Sequence, residues 1–260
     1  MNDSALRSDG SRRVAFVTAA AGAGIGAAIV RALADDGWSV VVTDAHGRRA
    51  FEHAERLSAE YGREFLPIHL DVTDFAAVAA AAEQAAAWQG GIDGLVNSAG
   101  WNKLEPLIEM SPETWQRTID VDLTGTFNCL RNVVPLIVER GGGAVVNISS
   151  IAAWEMSTEH GAAYSAAKAG ILALTRVAAA ELGSKGVRVN AIAPGLIYND
   201  FLIKVYPAEF FAGYAEARSL VGRVGRPEDV GNLAAFLMSD RAGYITGEVM
   251  GISGGVAPNA

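Results

Sequence analysis

The chain has 260 residues, 50% of them hydrophobic and 19% charged, with a formal net charge of −8, which suits one large α/β domain with a full apolar core. The acidic balance argues against a nucleic-acid partner or docking on an anionic membrane, and no apolar run reaches the roughly 18–20 residues needed to span a bilayer. With Cys129 as the single cysteine, and His46, His53, His69 and His160 scattered without ligand spacing, neither a disulfide framework nor a metal site is expected, and a reducing cytoplasm suits the chain.

In chain order, the polar stretch from Met1 to Arg12 reads as a disordered leader and not as a secretory signal. A single domain then covers 13–260. Short apolar runs occupy Val14–Val17, Ser39–Thr43, Phe65–Leu70, Gly94–Val96, Ala144–Ile148, Val187–Ala193 and Val249–Ile252. They are continuous, the pattern of parallel strands buried on both faces. Between them lie helical stretches at 24–36, 48–60, 74–88, 112–139 (interrupted), 162–183 and 227–238. This β-α-β-α rhythm predicts a doubly wound parallel sheet with right-handed crossovers. The stretch 196–222 breaks the rhythm. It carries Tyr198, Phe201, Tyr206, Phe210, Phe211 and Tyr214 after a strand end, where open α/β sheets bind ligands, and reads as a substrate lid. A pair of helices packed on the sheet is the plainer alternative.

The first strand leads into Thr18-Ala-Ala-Ala-Gly22-Ala-Gly24-Ile25-Gly26 and then a helix. Glycines let the backbone approach a pyrophosphate, and the helix start offers free N–H groups with a positive dipole end. Such a turn alone is a weak signal; the strand before it, the helix after it and Asp44 about twenty residues on, at the second strand's end, strengthen it. A carboxylate at that place accepts hydrogen bonds from the adenosine ribose hydroxyls and repels a 2′-phosphate, which favours NAD over NADP. Arg48 and Arg49 follow close by and work against that preference.

Tyr164-Ser-Ala-Ala-Lys168 places a phenol and an ammonium one helical turn apart on one face. A free phenol, with a pKa near ~10, is a poor acid or base at neutrality; a neighbouring ammonium and a cationic nicotinamide both favour the phenolate. Ser149 and Ser150 close the fifth run at the same sheet edge, where a hydroxyl can hold a substrate oxygen.

With these motifs in order, the chain resembles a classical short-chain dehydrogenase/reductase over roughly Arg13 to Gly255, with a 3-oxoacyl-reductase-like cast. The marks are the glycine turn, Asp71-Val72, Asn97-Ser-Ala99-Gly100, Ser150, Tyr164, Lys168, Pro194-Gly195, Gly225-Arg-Pro-Glu-Asp229, Tyr244-Ile-Thr-Gly247 and Gly254-Gly255. The resemblance implies a Rossmann-type seven-stranded sheet, usually a homotetramer, and a small alcohol or ketone substrate. In it Tyr164 is the acid/base, Ser150 polarises the carbonyl, and Lys168 binds the nicotinamide ribose and tunes the tyrosine. Cofactor contacts would come from Gly22, Gly24, Ile25 and Gly26 at the pyrophosphate, and from Asp44, Asp71, Val72, Asn97, Ala99 and Gly100 on the adenine side and beyond. Pro194, Gly195, Ile197 and Asn199 would serve the nicotinamide end.

The chain departs from the family pattern in four places. The glycine turn is one residue longer, with Ala19 or Ala20 where the first glycine stands. Asp122 replaces the asparagine of the water relay; it can accept but not donate, and should stabilise the Lys168 cation. Ser150 stands fourteen residues before Tyr164, one more than usual, with Ser149 as the fallback, and Asn199 takes the place of a threonine that holds the carboxamide. Trp101, Asn102, Trp154, Met156, His160, Tyr198 and Tyr206 flank the expected cleft and suggest an apolar, bulky substrate, such as a cyclic or long acyl-CoA thioester. Three rivals remain: an enoyl reductase, whose tyrosine and lysine are normally spaced more widely; an extended epimerase or dehydratase of related fold, whose additional substrate portion 260 residues barely accommodate; and a catalytically silent NAD(P)-binding regulator, which would have no need of Ser150, Tyr164 and Lys168.

Overall fold

The computed structural model describes residues 6–7, 9–156, 160–199, 202 and 207–258. Seven parallel strands form one sheet in the order β3-β2-β1-β4-β5-β6-β7: β1 (Val14–Val17), β2 (Ser39–Asp44), β3 (Leu66–His69), β4 (Gly94–Asn97), β5 (Gly143–Ile148), β6 (Val187–Pro194) and β7 (Val249–Ile252). Each falls within two residues of the apolar run that predicted it. The helices are α1 (Ile25–Asp35), α2 (Gly47–Tyr61), α3 (Phe75–Ala87), α4 (Pro112–Thr118), α5 (Gly125–Glu139), α6 (Ala162–Leu182), α7 (Ala208–Arg218) and α8 (Pro227–Met238).

The continuous apolar strands bury both faces because each face is covered. On one, Ile29, Leu33, Leu57 and Leu237 of α1, α2 and α8 pack on Val40, Val42 and Val146. On the other, Val78, Cys129, Val133 and Ala179 of α3, α5 and α6 pack on Phe16, Leu95 and Val145. The strand order reverses between β1 and β4, so a crevice opens beyond their carboxyl ends, where such sheets hold dinucleotides.

One expectation is corrected. The helical stretch 112–139 is not interrupted: α4 runs through a six-residue π-helical turn, Ile119–Thr124, into α5 without leaving helical dihedrals. The described residues near the amino terminus make contacts of their own. Leu6 and Arg12 pair in an antiparallel bridge, and Arg7 forms an ion pair with the buried Asp93 and donates to the Arg140 carbonyl. Burying the Asp93 carboxylate requires such a partner, and the composition of a polar leader does not reveal it.

Candidate functional site

The site is assembled at the carboxyl edge of the sheet. Ala19, the first residue after Thr18, has φ of +47°, the left-handed region that favours glycine. It therefore occupies the place of the family's first glycine. Gly26 is pressed against it: a Cβ there would come within 2.1 Å of the Ala19 carbonyl oxygen. Gly22, with φ of +103°, also needs its freedom. No side chain caps the first turn of α1 at Gly24, so the N–H groups that begin with Ile25 and Gly26 are open to a phosphate. Thr18 locks this turn to the neighbouring strand, its hydroxyl accepting from the N–H groups of Ser98 (2.9 Å) and Ala99 (3.1 Å). Sequence reading had Thr18 in view but gave it no role.

Asp44 ends β2 with its two carboxylate oxygens held by backbone, one by Ala21 N–H at 3.2 Å and the other by His46 N–H at 2.8 Å. Each oxygen keeps a lone pair for a further donor. Asp71 is exposed and turned on its own loop, accepting from the Thr73 N–H and hydroxyl, while the Val72 carbonyl accepts from Asn128. Asn97 is buried, and its amide donates to Asn147 (2.8 Å), which donates in turn to Thr175 (2.9 Å). The Asn97 side chain thus braces the strands from beneath, leaving its loop, Ser98 to Gly100, to form the wall of the crevice.

At the heart of the site Lys168 is buried on α6. Its ammonium lies 3.0 Å from Asp122 Oδ2, donates to the Ile148 carbonyl at 3.2 Å, and stands 5.3 Å from the Tyr164 ring centroid. Burial works against the cation, but Asp122 and Tyr164 outweigh it and hold the Lys168 pKa above the ordinary lysine value. Asp122 sits in the π turn, fully buried, with Oδ1 accepting from Trp101 N–H at 2.7 Å. A Cβ on Gly100 would stand 3.3 Å from Asp122 and 3.4 Å from Lys168, so the Gly100 loop lies directly against this ion pair.

The structure also separates the two serines. The Ser149 hydroxyl is turned into the protein and donates to the Lys168 carbonyl at 2.8 Å. Ser150 precedes the 3₁₀ turn Ile151–Ala153, and its hydroxyl accepts from Ala152 N–H at 3.1 Å. The same hydroxyl donates to the Pro194 carbonyl at 3.5 Å, at the end of β6. Ile197 is buried and bridges Gly225, beyond the Pro194-Gly195 end of β6. Asn199 is engaged locally, its amide donating to the Ile197 carbonyl and its oxygen accepting from Leu202 N–H.

Of the aromatics expected at the cleft, Tyr198, Phe210, Phe211 and Tyr214 cluster edge-on and tilted with one another. Phe201 and Tyr206 lie outside the described residues. Trp154 donates its indole N–H to the Ala257 carbonyl, and Arg117 lies over the Trp101 ring. A cavity of about 290 Å³ opens beside the end of β6 between Leu196, Ile197, Val221 and Ile252. Another of about 410 Å³ lies against the glycine turn, lined by Gly22, Gly24, Arg31, His53 and Arg56.

A doubly wound sheet with an uncapped glycine turn at its switch point and a lysine held beside a tyrosine defines a class of dinucleotide-dependent enzymes. The family described as "Enoyl-(Acyl carrier protein) reductase" matches residues 19–257. A cis-4-hydroxycyclohexanecarboxylate dehydrogenase of Sinomonas cyclohexanicum is 41% identical over 94% of this chain and 96% of its own. A (5R,7aS)-5-hydroxy-7a-methyl-1-oxo-2,3,5,6,7,7a-hexahydro-1H-indene-carboxyl-CoA reductase of Mycobacterium tuberculosis is 39% identical over 93% of this chain and 92% of its own. Among solved structures, L-sorbose reductase of Gluconobacter frateurii, complexed with NADPH and L-sorbose, superposes with a TM-score of 0.91 at 29% identity, covering 99% of this chain and 100% of that one. The chain belongs to the short-chain dehydrogenase/reductase family and is a nicotinamide-dependent oxidoreductase.

Proposed function

We propose that the chain transfers a hydride between NAD(H) and a secondary alcohol or its ketone, with Tyr164 as acid/base. The observation that carries this reading is the Lys168 ammonium, buried, paired with Asp122 and set against the Tyr164 ring. A cation fixed there stands beside the phenol that would exchange a proton with a substrate oxygen. In the oxidative direction Tyr164 takes the hydroxyl proton; in reduction it returns one to the carbonyl oxygen. Ser150 donates a hydrogen bond to that same oxygen. Lys168 holds a ribose hydroxyl and the tyrosine together.

The chain's residues fit a nicotinamide dinucleotide. The Gly22–Gly26 turn and the open start of α1 receive the pyrophosphate, Asp44 the adenosine ribose, Asp71 and Val72 the adenine, and Asn97, Ala99 and Gly100 the adjoining wall. Pro194, Gly195, Ile197 and Asn199 line the nicotinamide end, and the bound ring supplies or accepts the hydride. Asp44, with both its oxygens already positioned, supports NAD over NADP, because a 2′-phosphate would meet its charge.

The names of the relatives suggest a cyclic substrate or a long hydroxyacyl- or 3-oxoacyl-CoA thioester, and an aromatic-lined lid over 196–222 suits either. A homotetramer is supported by Trp115, Phe127 and Val177, apolar side chains left exposed on α4, α5 and α6 as a second copy of the chain would cover them. A single, buried cysteine suits a reducing cytoplasm. The silent regulator has no observation in its favour, since Asp122 leaves Lys168 paired and in place.

Titration with NADH and NADPH separately, followed by assay with cyclic ketones, 3-oxoacyl-CoA esters and the matching alcohols, tests the proposal. Turnover with NADH that vanishes in Tyr164→Phe is the expected result. Tight cofactor binding with undiminished turnover in Tyr164→Phe would remove Tyr164 from the chemistry.

A further inference from the structure

The segment between Ser150 and Tyr164 contains an ion-paired junction outside the groups assigned to catalysis. Glu155 follows the 3₁₀ turn, its own N–H donating to the Ile151 carbonyl at 2.8 Å. One oxygen of its carboxylate accepts from Arg218, in the last turn of α7. The other lies 3.1 Å from His160 Nε2, two residues before α6 begins and four before Tyr164. The Glu155 side chain is only 9% exposed. Burial raises its pKa, but His160 and Arg218 outweigh that and bring it below the usual carboxylate value.

Three separate pieces of chain meet at this one carboxylate: the turn behind Ser150, the approach to Tyr164, and the end of the helix in the 196–222 insertion. Trp154, the neighbouring residue, is held from a fourth direction by the Ala257 carbonyl. Arg218 also lies 5.2 Å over the Tyr214 ring, which fixes its guanidinium from the helix side. A carboxylate taken out of water without partners is costly, so the junction has a strong preference for its closed arrangement.

We propose that Glu155 is a positioning residue: by pairing with Arg218 and His160 it seats α7 against the Ser150–Tyr164 segment and so sets the width of the substrate cleft. This rests on the reading of Ser150 and Tyr164 as the substrate-oxygen site. The groups that touch the reacting atoms are elsewhere, so loss of Glu155 should act on substrate affinity and on the seating of α7 and leave the proton transfer itself nearly intact.

The test uses the full chain with NADH bound, comparing wild type, Glu155→Gln, Arg218→Gln and the double variant. Hydrogen exchange at the backbone of 208–218 should rise at least tenfold in each single variant, with exchange in β1 and β4 unchanged. The double variant should be no worse than Glu155→Gln alone, because Arg218 acts on this junction through the Glu155 carboxylate. In separate kinetics with NAD+ as the hydride acceptor and 4-hydroxycyclohexanecarboxylate or another alcohol turned over by the wild type, KM should rise about tenfold while kcat falls less than threefold. Unchanged exchange at 208–218 in Glu155→Gln, or additive effects in the double variant, would overturn the proposal. A Tyr164→Phe control separates the two readings: full activity there defeats the site assignment, whereas the exchange data judge the junction independently of turnover.

Discussion

Asp122 stands where an amide would both donate and accept, and a carboxylate only accepts. Its two oxygens are spent on Trp101 N–H and the Lys168 ammonium, so any relay through it must draw its donors from water or from the lysine. Because the pairing raises the Lys168 pKa, the stability it contributes is fully present below the ordinary lysine value. That contribution is lost as pH rises through the higher folded value. Asp122→Asn should therefore destabilise the protein at neutral pH, with the difference from wild type shrinking in alkali. It should also move the alkaline limb of the pH–rate profile to lower pH, which a kcat/KM profile measured with saturating NADH will show. An unchanged limb would mean that Lys168 does not set it. Tyr164, Lys168 and Asp122 were legible in the sequence because one helical turn or one departure from a motif marks them. Glu155 and Arg218 were not, for they are 63 positions apart and an ion pair at that separation leaves no periodic trace.

Strands were the most legible elements, since a run buried on both faces must be apolar throughout. The ordering of motifs then placed Asp44, Gly100 and Ser150 at their carboxyl ends. What the pattern could not settle was which of two adjacent serines faces the crevice, because neighbours on an extended backbone point to opposite sides. The Ser149 hydroxyl anchors α6 through the Lys168 carbonyl, so Ser149→Ala should lower stability by about 1 kcal/mol in denaturant titration, with a modest loss of turnover. Ser150→Ala should cost stability on the same scale, since its hydroxyl accepts from the buried Ala152 N–H, but its kcat should fall on the order of 100-fold, the usual cost of removing one donor to a developing oxyanion. At the glycine turn the sequence left Ala19 and Ala20 both open as the replacement; the positive φ of Ala19 decides between them. A non-glycine residue held there stores about 1 kcal/mol or more of backbone strain.

At the scale of the molecule, a single seven-stranded sheet agrees with the architecture expected from the alternating elements. Less visible beforehand was the way Arg7 crosses the amino-terminal edge of the sheet to reach Asp93 and the Arg140 carbonyl, far from the crevice. The exposed apolar side chains of α4, α5 and α6 bear on assembly. Replacing both Phe127 and Val177 with aspartate should shift the sedimentation coefficient from that of a tetramer toward smaller species. A wild type that sediments as a monomer would dispose of the homotetramer. The π turn between α4 and α5 has a larger reach than its six residues suggest. It acts as a phase corrector: in a regular helix each residue advances about 100°, so deleting one residue from Ile119–Thr124 would rotate all of α4 by that angle relative to α5. Thr114 and Thr118, now buried, would swing toward solvent, and the Asp122 carboxylate would lose its bearing on Lys168. The local excess of chain lets two helical faces that are out of step be buried on the same side of the molecule.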